Sequence, residues 1–158
     1  MTKFIVDTML GKLARWLRIL GYDTLYNTKF TDDDLFFKAH LEKRILLTRD
    51  RELANRMNPD FCLYITPLIV REQLKQVIIK FSLNTKNAIF TRCTICNDLV
   101  QPISKDDIEN EVPRIIYNSV QEFVHCKKCN KIYWPGSHIK NVNQILVELD
   151  ETLKKRKR

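Results

Sequence analysis

Two short apolar runs, each closed by an aspartate, constrain the fold more than anything else in the chain. Ile45-Leu46-Leu47 is unbroken, too short for a helix, and ended by Thr48-Arg49-Asp50. A run of that kind reads as a strand buried on both faces, as in a parallel sheet. Phe4-Ile5-Val6, with Asp7 directly after it, repeats the arrangement near the start. Open α/β sheets place their chemistry in the crevice at the carboxyl ends of the strands. If the two strands are neighbours, Asp7 and Asp50 converge, and like charges brought together need a cation or a shared proton. The pair therefore reads as a metal site.

The segments around these runs alternate in type. Leu13, Trp16, Leu17 and Leu20 recur at helical spacing, with Gly21 as the stop. Lys12, Arg15 and Arg18 fall on the other side and read as a solvated face, with Lys12 in a first turn close to Asp7. Asp23 to Tyr26 reads as a second strand. Thr31-Asp32-Asp33-Asp34 precedes an apolar helical stretch; Asp32 suits an N-cap, and Asp33 and Asp34 suit a first turn. The competing reading turns one of these acids into the cleft as a metal ligand.

Residues 51–57 read as a short helix and 61–66 as a fourth strand, with Cys62 a buried core thiol. Pro67 can open a last helix carrying Leu68, Ile69, Leu74, Val77, Ile78 and Phe81. Strand and helix alternating over residues 3–83 predict an α/β three-layer sandwich on a parallel sheet, since crossovers are right-handed. Glycine occurs only at 11, 21 and 136. That excludes a glycine-rich dinucleotide loop and a P-loop, so no nucleotide cofactor is expected.

A second module lies beyond a polar linker over 84–91. Cys93-x-x-Cys96 and Cys126-x-x-Cys129, separated by 29 residues, have the spacing of zinc knuckles. Each pair is followed by an asparagine, Asn97 and Asn130, the residue that after glycine best accepts the left-handed backbone such a turn needs. A tetrathiolate site has no open coordination position and is therefore structural. Val112–Tyr117 and Glu122–Val124 read as strands of a zinc ribbon. His125 and His138 read as hydrogen-bonded or surface histidines, and Trp134, in a rigid aromatic turn through His138, as core. An amphipathic helix through Ile145, Leu146, Leu149 and Leu153 runs into the basic tail Lys154-Lys155-Arg156-Lys157-Arg158.

The net charge of +8 remains positive after four thiolates take up a divalent ion, which suits a polyanionic partner. No apolar run approaches the roughly 20 residues of a membrane span, and residues 1–11 lack a signal-peptide core, so a cytoplasmic location with no membrane partner is expected.

FIVDTMLGKLARWLRILGYDT, DDDLFFKAH, RILLTRD, RCTICN and C-x-x-C with YWPGSH together resemble the small PIN-like ribonuclease family named after the C-terminal domain of the Mut-seven exonuclease. The resemblance implies a PIN-like nuclease domain over 1–88. A zinc ribbon with C-terminal helix and basic tail would then occupy 89–158. It implies a metal-dependent ribonuclease in which Asp7, Asp50 and one of Asp32 or Asp33 hold Mg²⁺ or Mn²⁺. Cys93, Cys96, Cys126 and Cys129 would hold structural Zn²⁺. Lys12, Arg15 and Arg49 are then the RNA-binding cations, with ribosomal or transfer RNA among the candidate partners. The alternative is a non-catalytic RNA- or ribosome-binding module on the same scaffold.

Overall fold

The computed structural model describes residues 2–85 and 89–134, together with Gln144 and Val147. The turn over 135–138, the apolar positions expected of a last helix and the basic tail lie outside the described residues. The chain divides into two compact units, Met1–Asn97 and Asp98–Arg158.

In the first unit, strands β1 (Lys3–Val6), β2 (Asp23–Leu25), β3 (Ile45–Thr48) and β4 (Cys62–Tyr64) alternate with helices α1 (Gly11–Ile19), α2 (Asp32–Leu41), α3 (Arg51–Asn55) and α4 (Val70–Phe81). The strands pair in parallel in the order β2-β1-β3-β4, with Ile5 opposite Leu46 and Leu46 opposite Cys62. The predicted apolar runs are therefore the two central strands. Alternation of side chains sends Ile5, Leu46 and Cys62 to one face, where they meet Leu35 and Ala39 of α2 and Leu53 of α3. Phe4 faces the other way, edge-on to Tyr22 and to Phe81 of α4, and α1 packs on α4. Each fully buried large side chain contributes roughly 1.5–3 kcal/mol through the apolar surface it removes from water. Burial also pushes the Cys62 thiol up to about 11, in keeping with a core role.

Local signals explain where the helices start and stop. Gly21 takes a positive φ of 84°; its N–H donates to Arg18 O and that of Tyr22 to Leu17 O, which caps the carbonyls at the end of α1. At α2 the N-cap is Thr31 and not Asp32. The Thr31 hydroxyl accepts from the Asp34 N–H, and the Asp34 carboxylate accepts from the Thr31 N–H. This reciprocal pair satisfies two otherwise orphaned donors, so the register shifts by one residue from the expected one.

Two further expectations are corrected. Pro67 does not open α4. Gln73, inside that helix, donates from Nε2 to Pro67 O at 3.0 Å and holds the preceding turn open, leaving Leu68 and Ile69 78% and 67% exposed. Arg18 is not on a solvated face; it is buried, with backbone carbonyls as its partners.

The second unit is an antiparallel sheet of β5 (Gln101–Ile103), β6 (Phe123–Cys126) and β7 (Lys131–Tyr133) in the order β5-β6-β7. The strand expected over Glu122–Val124 is β6. The one expected over Val112–Tyr117 is not a strand, because helix α5 covers Arg114–Ser119. The β-branched pair Ile115-Ile116 suggests a strand, but packing overrides it. Ile116, Tyr117 and Val120 reach a core of Ile108, Val112 and Phe123 at helical spacing, while Ile115 is 81% exposed. Trp134 joins this core, its ring 6.4 Å from that of Phe123.

Gly11 gives a test of sign. A Cβ there would lie 2.5 Å from Tyr26 Oη and 2.7 Å from its Cζ, and Tyr26 Oη donates to Thr8 O at 3.0 Å. Helix propensity alone makes Gly→Ala stabilising by roughly 0.5–1 kcal/mol. The clash is expected to win, so that Gly11→Ala destabilises by about 1–2 kcal/mol in urea unfolding. In a Tyr26→Leu background the same change is expected to be neutral or stabilising.

Candidate active site and metal centre

The β1–β3 pairing decides where the acids go. Val6 lies opposite Leu47, and the ladder continues one step further as the Asp7 N–H donates to Leu47 O at 3.0 Å. Asp7 is thereby fixed beside Thr48, and it is only 6% exposed. A buried carboxylate needs donors. Asp7 Oδ2 accepts from the Thr48 hydroxyl at 2.6 Å and Oδ1 from the Thr8 hydroxyl at 3.2 Å. Thr48 Oγ1 in turn accepts from the Asp50 N–H at 2.9 Å. One hydroxyl therefore links the two strand-end aspartates, donating to the side chain of one and accepting from the backbone of the other.

Asp50 is the N-cap of α3, its Oδ1 accepting from the Leu53 N–H at 2.9 Å. The cap fixes the carboxylate and occupies one of its two oxygens. Thr48 was not singled out from the sequence as functional. The signal was its position two residues before Asp50, where a hydroxyl reaches back to the N–H.

The other sequence candidates are spread more widely. Lys12 and Arg15 are exposed on α1, and Arg49 is half-buried between Thr48 and Asp50. Asp32 and Asp33 are exposed in the first turn of α2, and Asp33 pairs with Arg56 at 2.8 Å. Asp34 is held in the capping box, where the Thr31 N–H and hydroxyl lower its carboxyl below the usual range. The fold thus links the Asp7 side chain to the Asp50 backbone through Thr48, and among the described residues no hydrogen bond links the α2 acids to them.

Among the described residues, the group of three or more Cys, His, Asp or Glu whose ligand atoms lie close together is Cys93, Cys96, Cys126 and Cys129, all within 4.8 Å of one another. Four thiol donors at such separations fit tetrahedral Zn²⁺, whose Zn–S bonds are about 2.3 Å. The local turns fit as well. Asn97 and Asn130 take positive φ of 73° and 52°, as their place after each second cysteine predicts. The Cys96 N–H donates to Cys93 Sγ at 3.5 Å and the Asn97 N–H to Cys93 O at 3.0 Å. His125 engages Asn130 Oδ1 at 3.0 Å.

The first knuckle is fastened to its own α/β unit by buried polar side chains. Arg18 donates to Thr24 O at 2.9 Å, Thr94 O at 3.2 Å and Ile95 O at 2.7 Å. Asn97 accepts from the Thr24 N–H at 2.9 Å and donates to Asp23 Oδ1 at 2.8 Å. Asp23 also pairs with Arg44 at 2.7 Å and with Arg92 at 3.9 Å. Burial opposes ionisation of Asp23, but the hydrogen bonds from Arg44 and Asn97 and the charges of Arg44 and Arg92 outweigh it and lower its pKa.

Two predictions come from this geometry. Purified protein is expected to carry about one zinc per chain by elemental analysis, and Cys93→Ser or Cys126→Ser to lose it together with thermal stability. A carboxyl group depressed in the fold stabilises it above the unfolded-state pKa and loses that contribution as pH falls through the folded value. Asp23→Ala should therefore cost about 2–3 kcal/mol near neutrality, leaving the buried Arg44 with Glu42, at 2.7 Å, as its remaining carboxylate. The penalty should shrink below pH ~4 in urea unfolding measured against pH.

The model of the family described as Mut7-C RNAse domain matches residues 2–146, most of the chain. No curated protein matches it.

Proposed function

Because the chain belongs to the Mut7-C RNAse domain family, we propose that it is a metal-dependent ribonuclease on a PIN-like scaffold, hydrolysing RNA phosphodiesters at the carboxyl edge of the parallel sheet. The observation that carries this reading is the single hydroxyl of Thr48 joining Asp7 to Asp50. A scaffold with no acidic chemistry to perform has little use for a buried carboxylate tied through one hydroxyl to the backbone of a second aspartate.

Asp7 and Asp50 fit a hard divalent cation such as Mg²⁺ or Mn²⁺, which is commonly held by one or two carboxylates with substrate phosphate and water completing the shell. Such an ion, when bound, supplies an acidified water and offsets charge on the phosphodiester. The chain's own residues do the rest. Thr48 orients the Asp7 carboxylate, and the α3 cap orients that of Asp50. Lys12, Arg15 and Arg49 neutralise the phosphate backbone without reading bases. Asp32 or Asp33 becomes a third acid if the first turn of α2 closes on bound substrate.

Asp7→Asn and Asp50→Asn test the proposal with little structural damage, because asparagine can still accept from Thr48 and still cap α3. Each is expected to lower Mn²⁺-dependent RNA cleavage at least about a hundredfold, in keeping with the loss of a metal ligand. Cleavage that survives both changes would overturn the assignment. RNA affinity that survives with no cleavage by the unaltered protein would indicate a binding module.

A further inference from the structure

The third strand end on this edge has no part in the aspartate site. Thr48 lies opposite Tyr64 in the β3–β4 register, as Asp7 lies beside Thr48 in the β1–β3 register. Parallel neighbours in register project their side chains to the same face. Asp7, Thr48 and Tyr64 therefore form one row across three strands, Tyr64 about 10 Å from Asp7 at two strand spacings. Arg51, the first residue of α3 after the Asp50 cap, stands over this tyrosine. Its guanidinium carbon is 5.6 Å from the ring centroid, and its Nε donates to Tyr64 Oη at 3.3 Å.

The backbone presenting the tyrosine is unusually well held for a strand end. Gln76 of α4 donates to Tyr64 O at 3.0 Å and accepts from the Thr66 N–H at 3.2 Å, and Gln73 secures Pro67 O. Two buried or half-buried glutamines thus fix a turn whose own apolar side chains, Leu68 and Ile69, stay in solvent. A core-forming turn would bury them.

We propose that Tyr64 and Arg51 form a base-stacking subsite beside the Asp7–Asp50 centre, which holds one unpaired nucleotide of the RNA. The inference rests on the nuclease reading and narrows it. An aromatic ring with a guanidinium against it offers a π-face for a nucleobase and a cation for the adjoining phosphate. A base inside a duplex has both faces covered by its neighbours, so only an unpaired nucleotide can use the platform. Stacking accepts any base, which gives preference for strandedness without sequence readout.

The test measures binding of a short oligouridylate in the Asp7→Asn background, so that turnover does not intervene, alongside an oligomer of the same length with abasic sites and an RNA duplex. Tyr64→Leu is expected to weaken the oligouridylate roughly 5- to 100-fold. It should leave the duplex within about twofold and lose much less on the abasic chain. Tyr64→Phe, which keeps the ring, is expected to stay within about threefold of the parent. Arg51→Gln alters an exposed side chain that does not threaten folding, and is expected to cost about three- to tenfold on the single strand.

With Asp7 intact, Tyr64→Leu is expected to raise KM for single-stranded RNA more than it lowers kcat. If the parent cleaves RNA but Tyr64→Leu and Arg51→Gln leave oligouridylate affinity and KM unchanged, or the loss is equal on the abasic chain, the subsite is wrong and the nuclease reading stands. If the parent neither cleaves nor binds, both fall.

Discussion

The parallel pairing of Lys3–Val6 with Ile45–Thr48 is the constraint on which the rest of the first unit depends. It fills the centre of the sheet with Ile5, Val6, Leu46 and Leu47, all fully buried. It also stops both strands at the same level, so that the polar residues after each apolar run emerge at one edge. A shift of register would separate Asp7 from Thr48 and also turn each core side chain to the wrong face. Hydrophobic packing of the strands is therefore what holds the Asp7 carboxylate out of solvent, at a cost that the Thr8 and Thr48 hydroxyls partly offset.

Charge is used differently at the opposite, amino-terminal end of the strands. Asp23 opens β2 and Arg44 immediately precedes β3, and their ion pair lies largely out of solvent. A pair of that kind seldom adds much net stability by itself, since desolvation opposes attraction. Here the carboxylate also receives Asn97, and Arg18 crosses from α1 to two carbonyls of the first cysteine knuckle. The gain is geometric: satisfied buried donors and acceptors fix how the knuckle meets the sheet.

Much of this was legible in the chain because the signals were local. The central strands, the glycine stop of α1 and the left-handed asparagines after each cysteine pair depend on residues within a few positions of one another. The failures involved partners distant in sequence or competition between neighbours. Arg18 has the spacing of an exposed helical residue, and nothing near it announces that Thr94 and Ile95, more than seventy residues on, supply its acceptors. Asp32 resembles an N-cap until Thr31 and Asp34 are seen to cap one another. Ile115-Ile116 carries strand propensity, and only the core of Ile108, Val112 and Phe123 converts that segment to a helix. At the candidate site the places of Asp7 and Asp50 beyond two paired strands were legible. Thr48 and Tyr64 were not, since each gains its meaning from strand register.

Cys62 sits under α2 and α3, two residues before Tyr64 in β4, with its thiol disfavoured from ionising. Alkylating reagents attack the thiolate, so modification of this sulfur in the folded chain must wait for β4 to open. A single side chain buried beneath the edge strand thus serves as an intrinsic clock for local opening, recording how often the edge that carries Tyr64 comes loose without any label having been introduced.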